Sequence, residues 1–238
     1  AVWTIFSIIG IRIKQDLGLS ETQFGLLLGT PILTGSLIRL VLGVWTERFG
    51  GKIINPLVML AAAASAYLLA SAHTYPQFLI AALGLGLAGG TFAVGVAYVS
   101  KFFASEKQGM ALGIFGAGNV GATVTILVAP IVMVAMGWQA VAQIWAGVLA
   151  ALAVAFFVLA PEEPDIAARR ARRERAPNLA AQFAVLKNLQ VWRFSLYYFF
   201  VFGGFVALSL WLPRYLVGAY QLDIRTAGLV AIAFSAPA

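Results

Sequence analysis

A single arginine stands inside an apolar run, Gly35-Ser36-Leu37-Ile38-Arg39-Leu40-Val41-Leu42-Gly43, with no acidic residue near it in sequence. A guanidinium at mid-bilayer costs at least ~2.5 to 3.5 kcal/mol on insertion scales, so its place there needs a reason. Two are open. Trp45 follows closely, ~9 Å along a helix, so the long side chain could snorkel to the interface; alternatively, it faces a water-filled cavity and binds an anion. A second constellation is Gly113-Ile114-Phe115-Gly116-Ala117-Gly118-Asn119-Val120-Gly121-Ala122. Gly113, Ala117 and Gly121 recur every fourth residue, the small-residue stripe that lets helices touch closely in lipid. Asn119 differs, because a buried amide must find partners, and an amide beside bare backbone can donate to a small anion. Ala82, Gly86 and Gly90 repeat the stripe in the run that leads to Thr91-Phe92. Tyr197, Tyr198, Phe199, Phe200 and Phe202 crowd together before Gly203-Gly204. Such rings form an interfacial belt or line a cavity, and periodicity does not separate the two.

Other chemistry is scarce. The chain has no Cys and one His, which leaves no disulfide framework, no thiol nucleophile and no zinc-type ligand set, so neither a metal nor a cofactor is expected. His73, ahead of Tyr75-Pro76, reads as a solvated loop histidine. The nine acids are Asp16, Glu21, Glu47, Glu106, Glu162, Glu163, Asp165, Glu174 and Asp223, and none falls within a complete apolar span, so a carboxylate proton relay is not expected. A membrane enzyme or receptor is disfavoured by the same shortage of paired catalytic groups.

The elements that must position these residues follow from composition. Hydrophobic residues make up 61% of the 238 and charged ones 11%, against roughly half and a quarter in soluble domains. The apolar residues lie in blocks of about 20, the length a helix needs to cross ~30 Å of hydrocarbon. The blocks predict helices at about 1–13, 23–45, 53–72, 77–100, 109–135, 140–160, 194–217 and from 226 onward. Ser20 is the expected cap of the second, with Gln23 as its capping-box partner. The first and last blocks are each ~20 Å long and are expected to be incomplete spans. Between Pro161 and Arg193 the composition shifts to Pro161-Glu162-Glu163-Pro164 and then Arg169, Arg170, Arg172, Arg173 and Arg175, the expected linker. Three units result: a six-helix half over 1–160, a basic linker over 161–193, and the start of a second half over 194–238. The net charge of +7 needs no nucleic-acid partner. Eleven of the sixteen basic residues fall on one side, in the linker and with Arg48, Lys52, Lys101 and Lys107, which by the positive-inside rule makes that side cytoplasmic.

Six spans, a basic loop and the beginning of a second set resemble the major facilitator superfamily. Gly43-Val44-Trp45-Thr46-Glu47-Arg48-Phe49-Gly50-Gly51-Lys52 is similar to its loop motif Gly-x-x-x-Asp-Arg-x-Gly-Arg-Lys, with Glu47 for the usual Asp and Gly51 for a basic residue. Within the superfamily the chain most resembles the nitrate/nitrite porters, through the glycine-rich segment Gly113 to Gly121, continuing to Pro130, and through Arg39. That resemblance implies an all-α membrane bundle, truncated to about six helices of the first half and the start of the second. It implies alternating-access transport of nitrate or nitrite, by antiport or proton-coupled symport, through a protein of the cytoplasmic membrane that works as a monomer. The implied substrate residues are Arg39, Phe92, Asn119, Tyr198, Phe202, Gly118 and Gly121, with Phe92 and Phe202 sandwiching the anion and Tyr198 hydrogen-bonding it. Gly43, Glu47, Arg48, Gly50 and Lys52 would carry gating. A second substrate arginine is expected beyond Ala238. The alternatives are a facilitator of another small or organic anion or of drugs, from a different class a membrane enzyme or receptor, and, third, a channel.

Overall fold

The computed structural model describes residues 2, 5–174, 178, 182–222, 226–227 and 230–231, apart from the side chains of Ser7, Asn119, Ser209, Leu210 and Pro213. Every regular element among them is helical: α1 Phe6–Leu17, α2 Glu21–Phe49, α3 Gly51–Ala70, α4 Tyr75–Ser100, α5 Ser105–Gly116, α6 Val120–Met136, α7 Trp138–Leu159, α8 Pro164–Ala171 and α9 Leu189–Tyr220. Six stretches are long and apolar enough to cross a membrane: α2, α3, α4, α5 with α6, α7, and Leu189–Leu208 of α9. Most of the expected eighth span lies outside the described residues.

Local chemistry sets the ends. The expected capping box starts α2: Ser20 Oγ accepts the Gln23 N–H at 3.2 Å and Gln23 Oε1 accepts the Ser20 N–H at 3.0 Å. The polar turn expected over Thr46–Lys52 is far shorter than seven residues. Helix α2 runs on to Phe49 and α3 begins at Gly51, so Gly50 alone makes the junction, at φ 88. Gly137, at φ 87, does the same between α6 and α7. A side chain at either position would be strained, which is why one residue suffices to reverse a helix there. The first helix extends past Lys14 to Leu17, with Arg12 paired to Asp16 at 3.3 Å one turn on.

Helix α4 is the hub. It packs along α2, while α3 packs against both α4 and α7. The small stripe on α4 works as expected: a Cβ added at Gly86 would lie 2.6 Å from the Pro31 carbonyl oxygen, and one at Gly90 would lie 2.5 Å from Leu42 Cδ1. The stripe at Gly113 does not, because a Cβ there meets nothing within 4 Å. The main core gathers Ile5, just before α1, and Phe6 and Ile9 of α1 with Leu69, Phe78, Leu85 and Val141. Many large apolar side chains remain on the outside, among them Leu40, Leu68, Ile80 and Val158, as expected of a bundle solvated by lipid.

Candidate functional site

The close α2–α4 contact decides where Arg39 goes. Gly35 meets Gly86 and Gly89 backbone to backbone, and one turn further along α2 the Arg39 Nε–H donates to the Gly89 carbonyl at 3.3 Å. Its guanidinium carbon then lies 5.7 Å from the centre of the Phe202 ring on α9. The side chain is therefore turned into a cavity of about 810 Å³ between α2, α4, α5 and α9, and the snorkelling alternative is not what the fold adopts. Arg39 is the one charged residue among the described residues of that lining. No described carboxylate pairs with it.

The aromatic residues form a stack beside it. Phe202 lies parallel to Tyr198, with centroids 5.1 Å apart and planes at 10°, and faces Phe92 at 6.4 Å and 21°. Phe115 of α5 closes the far side of Phe92 at 5.4 Å. Two parallel rings that hold a planar guest need ~7 Å between them, twice a van der Waals contact. The Phe92 and Phe202 centroids, 6.4 Å apart, are closer than that.

The glycine-rich segment is broken. After Gly116 the α-helix tightens into a 3₁₀ turn over Ala117–Asn119 before α6 resumes, a distortion that often marks a functional hinge. Gly118 lines the cavity. Gly121 is not among its lining residues, and its carbonyl accepts the Thr125 hydroxyl at 3.0 Å. The Asn119 side chain lies outside the described residues. Arg39, Phe92, Gly118, Tyr198 and Phe202 are therefore brought together on one cavity. Sequence reasoning missed Ser36, Asn55, Thr91, Ser195 and Trp211, which share the lining. Asn55 Oδ1 is buried with no hydrogen-bond partner; its signal was an amide before Pro56 in an otherwise apolar run.

The family model that describes the major facilitator superfamily matches residues 1–238. The chain belongs to the major facilitator superfamily. It is 35% identical to a probable nitrate/nitrite antiporter, NarK1, of Thermus thermophilus, over 100% of the chain and 55% of the relative. It is 30% identical to a nitrite extrusion protein of Bacillus subtilis (97% and 58%) and 33% identical to a probable nitrate transporter, NarT, of Staphylococcus carnosus (99% and 59%). The chain thus spans a little over half the length of these relatives.

The segment 43–52, which resembles the superfamily's loop motif, lies at the α2–α3 junction. Glu47 pairs with Lys101 at 3.3 Å, and Lys101 also reaches Asp165 at 3.1 Å. Arg48 is exposed and lies over the Phe49 ring, and Gly43 has nothing within 4 Å of an added Cβ. The Lys52 N–H points at Glu163, whose side chain is fully buried. In the sequence Glu163 reads as part of the linker. At the opposite end of the bundle Glu21 accepts from both Lys14 and Arg214, joining α1, α2 and α9.

Proposed function

We propose that the complete protein moves nitrate and nitrite across the cytoplasmic membrane by alternating access, with the linker on the cytoplasmic side. One observation carries the reading: an uncompensated guanidinium faces a cavity between flat aromatic rings. A planar monoanion can take two parallel N–H donors from arginine, a geometry lysine's ammonium cannot copy. In this reading Arg39 binds two oxygens of the anion, Phe92 and Phe202 cover its faces, the Tyr198 hydroxyl donates to a third oxygen, and Asn119 with Gly118 completes the donor set, while Gly121, outside the lining, serves the helix rather than the anion. Neutralisation of the cavity charge then lets the halves close around the guest, so that only the loaded carrier reorients readily. The names of the nitrate and nitrite relatives support the same substrate class. Exchange is the coupling mode favoured, since no described lining residue is a carboxylate that could carry a proton.

The volume of about 810 Å³ would admit a larger organic anion, whereas the flat aromatic faces beside Arg39 favour a planar one. Proteoliposomes holding the full-length protein and internal nitrite decide between them. External nitrate should enter without a proton gradient, and a tricarboxylate should not compete. Arg39→Lys should cut exchange to below a tenth of wild type; near-normal exchange would remove Arg39 from the site.

A further inference from the structure

The start of the linker is bonded to both ends of the gating junction. At Gly50 two helix ends lie side by side: the carbonyl end of α2, which carries partial negative charge, and the amide end of α3, which carries partial positive charge. Each has a partner of opposite sign from one short segment. The Glu163 carboxylate accepts the backbone N–H of Gly51 and, at 3.4 Å, that of Lys52. Six residues on, Arg169 donates to the Glu47 carbonyl at 2.8 Å, in the last turn of α2. Between the two contacts Asp165 holds both Arg169, at 3.6 Å, and Lys101, at 3.1 Å, and Lys101 returns to Glu47.

A fully buried carboxylate persists only where its charge is met by donors, and the approach to α3 is shaped to admit this one. A Cβ at Gly51 would lie 3.2 Å from Glu163 Oε1 and 2.8 Å from Tyr98 Cβ. The superfamily motif has a basic residue at that position. Here a glycine opens the space that the carboxylate fills. Tyr98 secures the segment from the other side, its hydroxyl donating to the Pro161 carbonyl at 2.7 Å.

We propose that Glu163 and Arg169 are positioning residues of the gate: they clasp the α2–α3 junction by its two helix ends, so that α8 travels with the first half and fixes where Glu47 and Arg48 point. The proposal rests on the transport reading for its kinetic consequence but not for its structural one, and the two are measured separately. Hydrogen exchange on the full-length protein reads the clasp without any substrate. Glu163→Gln should speed exchange of the amides at 51–54 at least tenfold, Arg169→Gln should do so at 47–50, and neither should change the α3–α7 core. Nitrate exchange in proteoliposomes should then lose Vmax several-fold with KM unchanged, and Glu163→Asp should recover part of it. Unchanged amides in both variants, or faster exchange throughout the bundle, would overturn the clasp. Altered amides with normal Vmax would overturn its role in gating. If wild type moves no nitrate, the transport reading fails while the amide result still decides the clasp. Should Glu163→Gln not fold, Arg169→Gln alone supplies both measurements.

Discussion

Phe202 is held from three directions: the Arg39 guanidinium at 5.7 Å, Tyr198 stacked at 5.1 Å and Phe92 facing it at 6.4 Å. A cation over an aromatic face is worth about 0.5 to 2 kcal/mol, according to how far the pair is shielded from water. Phe202 thus fixes the direction of the arginine as well as forming one wall. Phe202→Leu keeps the apolar volume but removes both the ring face and the parallel plane. Nitrate KM should rise about tenfold, the equivalent of ~1.4 kcal/mol, with protein yield unchanged; an unaltered KM in the proteoliposome assay would place the ring outside the site. Arg39 itself was legible in the sequence because a lone intramembrane charge demands a partner. Its direction was not, since snorkelling and cavity-facing rotamers leave the same trace in the one-dimensional pattern.

At the scale of elements, two stripes of small residues that look alike in sequence behave oppositely. Gly86 on α4 is pressed against the Pro31 carbonyl oxygen and Thr34 Cβ, both 2.6 Å from an added Cβ, whereas Gly113 on α5 faces open space. Gly86→Ala should therefore force α2 and α4 apart and cost about 1 to 3 kcal/mol. Gly113→Ala should be neutral or gain up to ~1 kcal/mol of helix propensity. Thermal midpoints of the detergent-solubilised protein check the pair, and similar losses in both would mean that the α5 stripe is packed after all. The helices were readable from block length and capping, as the Ser20–Gln23 box shows. Their finer breaks were not. A period of four assumes an unbroken helix, so it could not reveal the 3₁₀ turn at Ala117–Asn119, and a charged run reads as a loop even when Gly50 alone turns the chain. Glu163 was invisible for a different reason: its partner at Gly51 is 112 residues away.

For the molecule as a whole, alternating access requires contacts between the halves that form on one side and break on the other. On the proposed orientation, the Glu21 cluster at the end away from the linker would supply one. Glu21 at the start of α2 accepts from Arg214 near the end of α9, and both side chains are well exposed, at 67% and 42%. Exposed pairs are weak, so on the proposed reading this bond would bias closure at that end of the bundle without locking it. Glu21→Gln should accordingly change the nitrate exchange rate by no more than about fivefold. A covalent bond at the same place is a different matter, because on the proposed alternating-access reading opening would separate α2 and α9 there. In a cysteine-free background, Glu21→Cys with Arg214→Cys should form a disulfide readily, stop nitrate exchange when oxidised and regain it on reduction. Full activity of the cross-linked protein would show that these two helix ends stay together throughout the cycle, and the outer gate would then have to lie elsewhere.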